Sequence, residues 1–111
     1  MVQLLDQFLP HPITTGVRGV GVYIGQAMEA TNPAAVDIAI GFDNVSESDV
    51  LMGQALIDGE GKIFMWGDEW ITYDSEWDAG QHPEYDVERF WLNILKWLTP
   101  ADECQVPIIV V

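Results

Sequence analysis

The sequence predicts an α+β fold, a cut-down α/β arrangement in which a mixed β-sheet of four to five strands carries one long C-terminal amphipathic helix. Three observations predict it. Residues 17–25, VRGVGVYIG, and 36–42, VDIAIGF, have the period-two, β-branched pattern of strands. Asp58-Gly59, followed by Gly61, divides two apolar runs, which reads as a β-hairpin over about 50–67. Residues 87–98, VERFWLNILKWL, set Val87, Phe90, Trp91, Ile94, Leu95 and Leu98 at spacings of three and four, one apolar stripe on a helix.

The elements follow in chain order. Residues 2–9 are a short apolar piece, read as one or two helical turns and stopped by Pro10 and Pro12. The glycines of the 17–25 strand call for a bulge or a close backbone approach. Asn32-Pro33 marks a turn. After strand 36–42, residues 43–49, DNVSESD, form a polar loop. The hairpin then joins 50–57 to 62–67. A helix over 47–56 capped by Ser46 is the alternative, and Gly53 and the Asp-Gly turn weigh against it. The C-terminal helix spans about 86–98, with Asp86 as N-cap and Thr99-Pro100 as its stop; Trp97 falls beside the stripe. Val106–Val111, VPIIVV, is strand-forming, and Pro107 restricts it to an edge.

At 111 residues the chain is read as a single domain, 1–111. Its 49% hydrophobic content argues against disorder. Eighteen Asp and Glu face four Lys and Arg, a formal net charge of −14. That charge repels nucleic acid and anionic membrane; it favours solubility, a bound cation or a basic protein partner. Cys104 has no CxxC or Cys/His cluster around it, so neither a disulfide framework nor a zinc site is indicated. The start lacks the pattern of a signal peptide, and no apolar run approaches the roughly 20 residues that span a bilayer. A cytoplasmic protein is the expectation.

Chemistry concentrates in GKIFMWGDEWITYDSEWD, residues 61–78, which carries three of the five tryptophans. Asp68 and Glu69 stand just past the end of a strand, where open α/β sheets bind ligands. Gly67 would let the chain turn there. An acid pair in that place could act as general base or metal ligand. Its plainer reading is Asp68 capping the next turn. Trp70 and Trp77 offer stacking faces for a sugar or a cation, whereas Trp66 and Trp91 read as core. Asp68, Glu69, Trp70 and Trp77 are the candidate ligand-binding residues. Asp74, Glu76 and Asp78 alternate as D-x-E-x-D before Gly80, like the opening of a calcium loop. The glycine comes one residue late and Tyr85 stands where the closing glutamate belongs. No cofactor is therefore required; calcium or magnesium is the one this pattern admits. A dinucleotide fingerprint is absent.

Three segments, HPITTGVRGVGVYIG at 11–25, GEGKIFMWGDEWITYDSEW at 59–77 and VERFWLNILKWLTP at 87–100, resemble the C-terminal half of bacterial class I glutamine amidotransferase-like domains, including relatives of the trehalose-utilisation family. The resemblance covers most of residues 11–100 and is most specific in the GDEW strand and the helix. It implies a flavodoxin-like ancestry. The family's earlier β–α units, with the nucleophile turn, would lie before residue 11, so no catalytic cysteine is carried over. QHPE at 81–84 matches the family's His-Pro-Glu only in its letters, because no strand precedes it and Cys104 follows it.

A half-domain with one helix leaves an apolar sheet face and open edges, which predicts self-association into a homodimer. The leading expectation is a non-enzymatic acidic binding module for a small polar ligand or a basic protein. Two alternatives stay open. One is a metal-assisted hydrolase or enzyme remnant using Asp68 and Glu69. The other is an acidic decoy for a basic protein.

Overall fold

The computed structural model describes residues 2–77 and 82–99. Within them the fold is α+β: six strands and one helix. The strands are β1 (Gln3–Leu5), β2 (Gln7–Phe8), β3 (Val20–Val22), β4 (Val36–Asp43), β5 (Ser48–Asp58) and β6 (Gly61–Trp66); the helix is α1 (Val87–Leu98). β1 pairs with β3 in a two-stranded ribbon, and the second sheet runs β2-β4-β5-β6. Every pairing is antiparallel among the described residues.

The start of the chain differs from expectation. Residues 2–9 form two short strands rather than helical turns. Eight residues are too few for a helix without tertiary support, whereas β3 and β4 each offer a partner edge. The chain passes from one sheet to the other at Asp6, since Leu5 pairs with Val20 and Gln7 with Ile40. The strand expected over 17–25 contracts to Val20–Val22 because its flanks bond elsewhere. The Arg18 amide donates to the Asp86 carboxylate, and Gly19 O accepts from the Asp86 amide at 2.7 Å. Tyr23 N–H donates to Asp68 Oδ2, and Ile24 takes φ 52°.

The hairpin is where the sequence places it. Asp58 pairs with Gly61, and Gly59 carries φ 60° in the turn at no Cβ cost. β5, with β4 one of the two interior strands of its sheet, is buried from Met52 to Leu56.

α1 lies on one face of this sheet, with Val87, Phe90 and Ile94 buried. Phe90 is the hub: its ring centroid is 6.0 Å from Phe8, 5.8 Å from Phe64 and 5.0 Å from Trp66. Trp91 is half-buried and donates its indole N–H to Ile71 O at 2.9 Å. Two details of the helix are corrected. Asp86 occupies the N-cap position, but its side chain makes no cap; it bonds Arg18 instead, at 2.9 and 3.0 Å. Leu95, placed in the stripe, is 54% exposed. The buried arc is rotated toward Asn93 and Trp97, because the Pro12–Thr14 turn packs on that side. Asn93 Nδ2 donates to Ile13 O and Thr15 O there, and His11 meets the Trp97 ring edge-on. The Val106–Val111 strand and Cys104 lie outside the described residues.

Candidate functional site

The segment after β6 is built around Gly67. A Cβ on Gly67 would stand 2.2 Å from Gln26 O, so the position needs glycine for space; its φ is not left-handed. Gly67 N–H donates to Met52 O, and Gln26 N–H donates to Gly67 O. These bonds bring the 22–28 segment beside the end of β6, and Met28 N–H continues along β5 to Leu51 O.

Asp68 is consumed by the backbone. Its Oδ1 accepts from the Trp70 amide at 2.9 Å, closing the Trp70–Thr72 turn, and its Oδ2 accepts from the Tyr23 amide. Glu69 is exposed and accepts from the Tyr73 hydroxyl at 3.1 Å, a bond that raises the Tyr73 pKa. The Trp70 ring is wedged between Tyr23, at 5.1 Å, and Tyr73, at 4.8 Å. Trp77 is exposed, and among the described residues the rings against Trp70 are Tyr23 and Tyr73, not Trp77. Asp68, Glu69 and Trp70 therefore gather at one turn, while Trp77 ends the next, Asp74–Trp77.

Of the alternating acids, Asp74 is exposed and Glu76 turns inward, 2% exposed; Asp78 lies outside the described residues. No group of three or more His, Cys, Asp or Glu is placed to hold a metal ion among the described residues. Glu76 Oε2 faces His82 Nε2 at 3.4 Å, and His82 stacks on Tyr85 at 4.4 Å. Burial pushes the Glu76 carboxyl up; His82 and the nearby Trp70 indole oppose that shift, and Asp68 adds to it. The indole lies near without forming a hydrogen bond, for Trp70 Nε1 and Glu76 Oε1 are both buried without a partner among the described residues. Gly21 makes room for this cluster, since a Cβ there would stand 2.5 Å from Glu76 Oε1.

A concavity lies elsewhere. A cleft of about 410 Å³ opens between the 22–27 segment and the β4–β5 end, lined by Tyr23, Ile24, Phe42, Val45, Val50 and Met52. None of Asp68, Glu69, Trp70 and Trp77 lines it. A second hollow of about 240 Å³, between β1 and β4, shares Gln3, Val22, Gly41, Phe42 and Asn44 with the first, so the two form one groove. Among the described residues the charged groups of that groove are Asp6 and Asp43, and no Lys, Arg, His or Ser lines either hollow. Ile24 is 81% exposed, Val45 94% and Phe42 53%. A β-branched residue with positive φ is strained, and such strain gathers at functional sites.

The sequence gives one signal for this cleft, Val45 as the sole apolar residue of the DNVSESD loop. Ile24 and Phe42 read as ordinary strand positions. Tyr23 joins the two regions, because it lines the cleft while its amide and ring rest on Asp68 and Trp70. No protein-family model matches the chain, and no curated protein or solved structure matches it.

Proposed function

We propose that this chain is a non-enzymatic binding module whose contact surface is the apolar cleft between Tyr23–Gly25 and Phe42–Val45. The observation that carries the reading is Ile24, an aliphatic side chain presented to solvent on a backbone conformation that disfavours it. Water rewards no such arrangement, and a ligand that buries the side chain does. The lining favours binding over catalysis: among the described residues mostly apolar groups surround the single carboxylate of Asp43, and no Ser, Cys or His stands with it. Asp68, with both oxygens on backbone amides, serves to hold the cleft's wall.

Selection of peptides from a random phage-displayed library tests this. Enrichment on the wild-type chain that is lost on the Ile24→Gly and Phe42→Ala chains is expected. Enrichment retained on both variants contradicts the reading.

A homodimer is the second reading, favoured by Leu92 and Leu95, which expose two aliphatic side chains one turn apart on the outer face of α1. Light scattering separates the states: a mass near 12.4 kDa is the monomer, and twice that value supports the dimer.

A further inference from the structure

The groove runs beside a stretch of sheet edge that has no partner strand among the described residues. β2 reaches only Ala39 and Ile40 of β4. Beyond them, Gly41, Phe42 and Asp43 pair with Val50, Asp49 and Ser48 on the β5 side. On the opposite side no strand pairs with them among the described residues. Both hollows border this stretch. An open edge beside a groove is the geometry in which an extended segment adds a strand, its main chain bonding the edge and alternate side chains entering pockets.

The charge around the groove selects the segment. Asp6 and Asp43 line it, Glu47 sits in the adjoining turn, and Asp49 pairs opposite Phe42. Asp43 accepts from the Val45 amide at 2.9 Å and the Ser46 hydroxyl at 2.8 Å, so it stays ionised. None of the four basic residues lines the groove. Arg18 is engaged by Asp86, Lys62 by Trp97 O, and Arg89 and Lys96 belong to α1. A second copy of this chain, itself at −14, would set carboxylates against carboxylates there.

Resting on the reading of the cleft as a binding surface, we infer that its occupant is an extended protein segment in which cationic and aliphatic residues alternate, added along the Gly41–Asp43 edge of β4. The aliphatic side chains fill the space beside Tyr23, Ile24 and Met52. The cations meet Asp43 and Asp6. Main-chain bonds to β4 fix the direction.

Fluorescence anisotropy with a labelled Lys-Val-Lys-Ile-Lys-Val-Lys peptide at physiological salt tests the inference. Two control peptides are used: one with Glu in place of every Lys, one with its valine amides N-methylated. The lysine peptide is expected to bind at least about tenfold more tightly than either control, the factor that corresponds to one charge-assisted contact. Asp43→Asn and Ile24→Gly are each expected to weaken it several-fold. Val45→Ser, at a solvated position, supplies a third variant that leaves the fold unchanged and weakens binding in the same sense. Equal binding of the N-methylated peptide, or binding insensitive to all three variants, would show diffuse attraction to an acidic surface and overturn the inference. Tight binding of the glutamate peptide that Ile24→Gly abolishes would also overturn it, while leaving the cleft as a binding surface. Failure of every peptide, with phage selection also empty, would remove both.

Discussion

Ile24 concentrates the molecule's main tension in one residue. Its φ of 52° is left-handed, where a Cβ meets the following carbonyl at a cost of about 1–2 kcal/mol. Glycine there would relieve that strain and lose about 0.5–1 kcal/mol through its freer unfolded chain. Ile24→Gly is therefore expected to raise the unfolding free energy in urea by about 0.5–1 kcal/mol while weakening peptide binding. Loss of stability would show that Ile24 contributes to the core instead.

Glu76 sets the second residue-scale expectation. Its carboxyl is pushed above its usual value of 4.5, with burial the largest cause. The folded chain thus holds this proton more firmly than the unfolded chain does. Stability should then fall as pH rises from about 4.5 through the folded value, and the full penalty applies above it. Asp43 and Asp86 are shifted the other way, and their contributions are lost only as pH falls through their lowered values, below 3.8. His11, lowered by burial, contributes in the opposite sense toward pH 6.5 in both chains. Thermal melts between pH 4.5 and 7 should therefore show wild-type stability falling relative to that of Glu76→Gln as pH rises. Parallel slopes would show that Glu76 is not perturbed by burial.

At the scale of elements, the attachment of α1 decides which parts were legible. The hairpin and the helix were, because each follows from local chemistry: a turn glycine between two strand runs, and spacing of three and four. The rotation of α1 was not. It depends on Asn93 reaching Ile13 O and Thr15 O at 2.9 and 2.8 Å, across 80 and 78 residues of chain. No local pattern encodes such a contact. The same holds for Asp86, where helix-start chemistry predicts a cap and a distant Arg18 takes the carboxylate. Asn93→Ala is expected to cost about 1–2 kcal/mol, the net worth of two hydrogen bonds. Arg18→Ala should cost less and become silent at high salt, because Arg18 is solvent-exposed. Melting temperatures of the two variants, at low and high salt, check the order.

The site was legible in part for the same reason. The carboxylate and indole cluster after Gly67 stands out in composition, and Asp68 closes a turn as its side chain allows. The cleft assembles chiefly from 22–27, 41–45 and 50–52, stretches that become neighbours through the β4–β5 pairing and the Gln26–Gly67 and Met28–Leu51 bonds.

For the molecule as a whole, the central claim is that contact with a partner is made at this groove and not at the acidic turn beside it. Both regions belong to one chain of strong negative charge, so binding alone does not separate them. Amide chemical-shift mapping with the lysine peptide does. The account predicts saturable shifts confined to residues 22–27 and 41–52, with Ile24, Phe42 and Val45 among the largest. Shifts centred on Asp68–Trp77, or scattered over every acidic face, would contradict it.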